Sequence, residues 1–221
     1  MVRGVLATEV PLDGCVVPGG LGYSISELEH AVPVPVSSTV PELDAVSDGG
    51  LLPGAVWTLA GPTRAGLTEL AVRIAVGASR GKRVMFANGH LATHLLVRRV
   101  TDEAGMQDTP QVVRERLGVA SWLPLPSALD EGGYSWDSAC EAADVVVMDT
   151  LDEMLRPAAW PTSDELLLLL RGLRETARRH GTAMVLTART SENRVGVHGD
   201  SWPQHVSRTA FEDVGDVQIR V

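Results

Sequence analysis

The segment Gly61-Pro-Thr-Arg-Ala-Gly66-Leu-Thr68 sets two glycines with four residues between them and a hydroxyl two positions after the second. In the phosphate-binding pattern G-x-x-x-x-G-K-[ST], the glycines let backbone N–H groups curl around phosphate. The lysine neutralises the β and γ phosphates, and the hydroxyl holds Mg²⁺. Gly61, Gly66 and Thr68 fit that pattern, but Leu67 occupies the lysine position. The loop therefore keeps its N–H donors and its metal-binding hydroxyl without the fixed charge, and its affinity for a triphosphate is expected to fall sharply. Arg64, inside the loop, is a candidate substitute cation, because a guanidinium also binds phosphate, in a different geometry. A tight turn between strand and helix would use the same glycines with no ligand at all. The second candidate is Asp149, which closes the apolar run Val145-Val-Val-Met. A carboxylate there is placed to hold the water shell of Mg²⁺, or to cap a neighbouring turn. His90 and His94 are spaced to share a helix face as metal ligands, but only two ligands are visible and no glutamate stands between them in the HExxH arrangement. A solvated or partner-facing pair is the simpler reading.

These residues need elements to position them. From Ser37 onward, short β-branched runs alternate with amphipathic stretches, the pattern of a mostly parallel sheet with helices on its faces. Strands are predicted at Ala55 to Ala60, Arg83 to Ala87, Ala120 to Leu123, Val145 to Asp149, Ala183 to Thr187 and Val214 to Arg220. Helices are predicted at Gly66 to Arg80, His90 to Ala104 and Ser163 to His180, the last with Ser163 as N-cap, acids in its first turn and arginines at its end. The leucine run 166–170 is apolar all round, so that helix must be buried on several sides or cover a partner. The stretch Gly133-Tyr-Ser-Trp-Asp-Ser138 reads as a loop. Residues 1–35 carry scattered Gly and Pro with no sustained period and read as an extended or poorly ordered leader, leaving 36–221 as the folded domain.

Composition narrows the function classes. With 221 residues the chain can build one sizeable α/β domain. Its 44% hydrophobic and 21% charged content is ordinary for a globular protein, and no apolar run approaches a membrane span. Glu9 and Asp13 interrupt any secretory signal, so a cytoplasmic location is expected. Cys15 and Cys140 lie far apart with no metal-binding spacing, as a reducing compartment would allow. The formal charge of −9 argues against a surface that grips nucleic acid broadly, so any DNA contact must be local. The one lysine, Lys82, stands before the second predicted strand, far from the phosphate loop.

The stretch from Val34 to Gly61 resembles the entry into the C-terminal motor domain of DnaB-type replicative helicases, and more distantly other RecA-like P-loop NTPases. There a T-G-x-x-x-L-D stretch and a G-G-L-x-P-G turn precede the P-loop strand. Thr39, Leu43, Asp44, Gly49, Gly50, Leu51, Pro53 and Gly54 match. Residues 80–100 resemble the family's next strand and helix, 145–154 its Walker B strand, and 171–192 its following helix and sensor strand. The likeness covers roughly residues 36–221 and implies a RecA-like core with a mostly parallel sheet. It assigns Asp149 as the Walker B carboxylate, Gly89 to the position of the catalytic glutamate and Ala188 to that of the sensor glutamine. Glycine cannot act as a base and alanine cannot hydrogen-bond a phosphate, so no residue is assigned as catalytic. Gly61, Arg64, Gly66, Leu67, Thr68 and Asp149 form a vestigial nucleotide site, with Thr68 and Asp149 as Mg²⁺ ligands only if nucleotide binds. Arg189, Arg194, Trp202 and Arg208 fall in the stretch resembling the family's DNA-facing loop and are candidate DNA contacts; a flexible polar loop with no ligand is the alternative reading. Arg220 lies near the position of an arginine that reaches a neighbouring subunit's phosphates.

The expectation is a non-catalytic RecA/DnaB-like subunit or adaptor in DNA replication, recombination or repair, with no cofactor or with weakly held ATP and Mg²⁺. It would act on a protein partner or self-associate, with DNA as a further candidate and no membrane. Two alternatives stand beside it. One is a slow DNA-acting ATPase using Arg64, Thr68 and Asp149, with a base from another subunit or from Asp152 or Glu153. The other is a structural self-assembling protein.

Overall fold

The computed structural model describes Glu9–Leu12, Cys15–Pro18 and residues 33–89, 91–120, 136–151, 163–189 and 216–220. For the first two segments and for 163–166, 218 and 220 the description is of the backbone. The chain divides into two units, Met1–Val34 and Pro35–Val221. In the first, Glu9–Leu12 (β1) pairs antiparallel with Cys15–Pro18 (β2), Leu12 opposite Cys15. The residues between them in sequence are Asp13 and Gly14, a pair favoured in two-residue hairpin connections. The expected extended leader thus contains an antiparallel pair, which its Pro and Gly content concealed.

The second unit opens with a turn and the short helix Pro41–Val46 (α1). The Asp44 carboxylate accepts from the Ser38 N–H at 2.9 Å, from the Ser38 hydroxyl at 2.5 Å and from the Ser37 hydroxyl at 2.7 Å, fixing the turn that enters this helix. Leu43 is buried. Val36 and Leu51 form an antiparallel bridge, and a Cβ at Gly50 would fall on the Val36 carbonyl, so glycine is required where these backbones meet. Leu43, Asp44, Gly50 and Leu51 thus hold together the turn and the bridge that precede β3.

Six described strands form one sheet in the order β5-β4-β6-β7-β3-β8, every neighbouring pair parallel. In chain order the elements are Val56–Gly61 (β3), Leu67–Ser79 (α2), Val84–Asn88 (β4), Thr93–Met106 (α3), Pro110–Arg116 (α4) and Leu117–Ala120 (β5). Trp136–Ala142 (α5), Val145–Asp149 (β6), Ser163–His180 (α6), Ala183–Arg189 (β7) and Val217–Arg220 (β8) complete it. This is an α/β core of the RecA-like kind: a parallel sheet flanked by helices, as the alternation of short apolar runs and amphipathic stretches implied. The strands are apolar on both faces because both are covered. Trp57, Leu59, Phe86, Val145, Val147 and Val185 pack under α2, while Val56, Met148, Met184 and Leu186 pack with α5 and α6 on the opposite face.

Several boundaries differ from expectation for local reasons. The edge strand runs Leu117–Ala120 rather than beginning at Ala120, because the unforeseen helix α4, with Pro110 in its first turn, hands the chain to β5 directly at Leu117. Residues 121–123 lie outside the described set. Helix α3 starts at Thr93 rather than His90. The Asn88 side chain bonds both the N–H and the C=O of Leu91, and Ala92 is extended at φ −61, ψ 135, so the chain cannot be helical before it. The segment read as a loop around Trp136 instead opens α5, with Trp136 at 3% exposure in the core. In the leucine run, Leu170 is buried, Leu167 and Leu169 pack against the same core, and Leu168 is exposed. Helix α6 thus uses most of that run within its own domain. Its last turn is tied to α5 by Asp137, which accepts from Arg179 at 2.9 Å and lies 3.0 Å from the His180 ring nitrogen. No helix among the described residues is long and apolar enough to cross a membrane.

Candidate phosphate-loop site

All strands being parallel, their carboxyl ends form a single edge, and the order of connections changes direction there, the place where such sheets present a crevice. The loop 61–66 leaves β3 at that edge and leads into α2. Its backbone has Arg64 at φ 74 and Gly66 at φ 85, with Gly66 as the helix N-cap and the Ala65 N–H bonded to the Pro62 carbonyl at 3.0 Å. Gly66 serves the left-handed turn that glycine adopts without steric cost. Arg64 and Thr63 are exposed, and Thr68 is half-buried in the first turn of α2.

Leu67 defines the chemistry of the loop. Its side chain is 6% exposed and belongs to the apolar cluster under α2 that contains Trp57, Leu59 and Phe86. Where the phosphate-binding pattern places an ammonium, this chain spends the position on its core.

Alternation along the strands decides which side chains share a face with that loop. Val145 and Val147 lie under α2, so Asp149, two residues further on, points to the same face; Val185 likewise leads to Thr187 and then Arg189. Asp149 and Thr187 are both completely buried, and the Thr187 hydroxyl donates to Asp149 Oδ1 at 2.7 Å. Arg189 is in register with Gly61, which sets a guanidinium-bearing residue beside the start of the loop. Ala188, expected at the sensor position, packs in the cluster on the opposite face with Met148 and Leu186. The polar residues that β7 offers on the loop's face are therefore Thr187 and Arg189. Counting in twos from the buried Val185 finds them, and Ala188 falls on the other face.

Gly89, expected at the position of the catalytic glutamate, follows β4, and its N–H donates to the Asp149 carbonyl at 2.8 Å. Asn88 pairs in register with Asp149. The position is thus adjacent to the carboxylate and supplies only backbone. The Asp149–Thr150 peptide is cis. The structure brings Gly61, Arg64, Gly66, Thr68, Asp149 and Arg189 to one edge of the sheet. Arg194, Trp202, Arg208, His90, Asp152 and Glu153 lie outside the described residues, as does the side chain of Arg220. His94 is exposed, and no group of three or more potential metal ligands occurs among the described residues.

Comparison with models of known protein families and with curated proteins gave no match. The class defined by the strand order, the parallel pairing and the helix packing is an α/β protein with a RecA-like core.

Proposed function

We propose that this chain is a non-catalytic RecA/DnaB-like subunit or adaptor of DNA replication, recombination or repair, kept for its shape and surfaces rather than for turnover. The observation that carries the reading is Leu67, buried in the core at the position that would offer a cation to phosphate. Gly89 and Ala188 support it: one supplies no side chain beside Asp149, and the other faces away from the loop. Removing a single preorganised charge-stabilising group costs catalysis about 3 kcal/mol, and the combined loss brings turnover toward background. The likeness to DnaB-type helicases of the segment before the loop supports the assignment to DNA metabolism.

A slow ATPase is favoured by one observation, Arg189 in register with Gly61 and Arg64 three residues further along the loop, which offer positive charge by another route. Steady-state ATP hydrolysis, measured with Mg²⁺ and with and without single- and double-stranded DNA, separates the two. The proposal predicts release of phosphate at the rate of an Asp149→Ala control under every condition. Mg²⁺-dependent, DNA-stimulated turnover lost in that control would replace the adaptor reading with the enzymatic one.

A further inference from the structure

The described cations are not spent evenly. Arg73, Arg83, Arg99, Arg174 and Arg179 each lie against a carboxylate. Arg80, Lys82, Arg114 and Arg116 have no ion pair among the described residues, and all four are exposed. They converge on one place. Arg80 ends α2, Lys82 follows in the turn before β4, and Arg114 and Arg116 form the last turn of α4 before β5. Because β4 and β5 pair with Val84 opposite Leu117, the residues entering them, Arg83 and Arg116, stand side by side at the amino edge of the sheet. The phosphate loop occupies the opposite, carboxyl edge.

Two of the four cations are held in place. Arg116 Nη1 donates to the Arg80 carbonyl at 3.2 Å, and Arg80 Nη2 donates to the Gln107 carbonyl at 2.9 Å, leaving most of each guanidinium's donors facing outward. Of the nearby acids Asp144 pairs with Arg83, while Glu115, bonded to the neutral amide of Gln111, keeps its charge and offsets one of the four. Asp108, in the turn before α4, offsets a second, so the patch keeps a net positive charge of two. Cations at helix ends also complement the helix dipole, but that role asks for neither Lys82 in the turn nor two arginines pinned to backbone carbonyls. Among the described residues no aromatic side chain serves the patch, since Trp57, Phe86 and Trp136 are all buried. The described cations offer no ring on which to stack an unpaired base and suit regularly spaced phosphates read by charge alone.

We infer that the edge formed by Arg80, Lys82, Arg114 and Arg116 is a binding surface for the phosphate backbone of double-stranded nucleic acid, read without regard to sequence. It reconciles a chain of net charge −9 with a local DNA contact, and it does not depend on whether the phosphate loop holds nucleotide.

The test is fluorescence anisotropy of a labelled duplex of about 20 base pairs, titrated with the full chain over a range of salt. Four phosphate contacts give a slope of log K against log salt of about −3.6, a loss of roughly 150-fold in affinity between 50 and 200 mM. Lys82 and Arg114 make no described hydrogen bond, so Lys82→Ala/Arg114→Ala preserves the fold, checked by its melting curve. That variant is expected to halve the slope and lose only about 12-fold over the same range. Arg171→Ala, which removes an exposed cation on α6 with no ion pair among the described residues, should match the wild type and confirm that location matters. An unchanged salt slope in the double variant overturns the inference. So does failure of the wild type to bind duplex at 50 mM salt, or tighter binding of single-stranded DNA or of a polyglutamate peptide than of duplex.

Discussion

The contact between Asp149 and Thr187 sets a measurable cost. Both residues are at 0% exposure, and the 2.7 Å bond from the Thr187 hydroxyl joins the ends of β6 and β7. The same hydroxyl reaches the Met148 carbonyl only at 3.4 Å, so the carboxylate is its main partner. Thr187→Val keeps the shape of the side chain, opens no cavity and deletes only the donor. A hydrogen bond to a charged group contributes about 1.5–3 kcal/mol, and a buried acceptor deprived of a donor falls in the same range. We therefore expect a loss of about 2 kcal/mol, equivalent to roughly 4–8 °C in Tm for a chain of this size. Thr187→Ser retains the donor and should lose about 1 kcal/mol or less, for one methyl group. Urea unfolding followed by circular dichroism reads both. If the valine variant is within 0.5 kcal/mol of wild type, or if serine is as damaging as valine, the hydroxyl is not the tie described.

Other outcomes follow from packing and charge. A Cβ at Gly77 would overlap Thr39 Oγ1 and the Ser38 carbonyl, whereas one at Gly172, on the exposed side of α6, meets nothing within 4 Å. Gly77→Ala should destabilise by about 1–3 kcal/mol and Gly172→Ala should stabilise by about 0.5–1 kcal/mol in thermal melts, a difference of sign that would vanish if α2 did not press on the 38–39 turn. The His180 hydrogen bond holds the Asp137 carboxyl below its ordinary value of 3.8, partial burial opposing it and the Arg179 charge assisting. A depressed carboxyl pKa contributes stability that is present above pH 3.8 and is lost as pH falls through the folded value. Wild type should therefore exceed Asp137→Asn in stability at pH 5–7, and the gap should close toward pH 2. A gap independent of pH would mean that the charge on Asp137 contributes nothing.

How much the sequence disclosed depended on the length and composition of each element. The strand Val145–Asp149 and the helix Ser163–His180 were bounded correctly because a continuous apolar run and a capped, oppositely charged helix leave little choice. Helices α4 and α5 escaped because seven residues hold barely two turns, too few for a period to emerge, and because Pro110 reads as a breaker although it is well tolerated at a helix start. The glycine spacing located the turn between β3 and α2, but only the fold shows Leu67 turned into the core. At β7 the motif pointed to Ala188, while the pleat puts Thr187 and Arg189 on the loop's face. A step of one residue along a strand exchanges one face of the sheet for the other, which only the observed pleat resolves.

The central claim, that the loop keeps the form of a phosphate site without its charge, is tested most directly by titrating a fluorescent ATP analogue with and without Mg²⁺. Wild type, Leu67→Lys and Asp149→Ala are compared, each shown to be folded by circular dichroism. The account predicts no micromolar binding to wild type and a gain of Mg²⁺-dependent binding in Leu67→Lys, since the backbone cradle needs only the cation. Micromolar, Mg²⁺-dependent binding by the wild type, abolished in Asp149→Ala, would contradict it and establish a working nucleotide site.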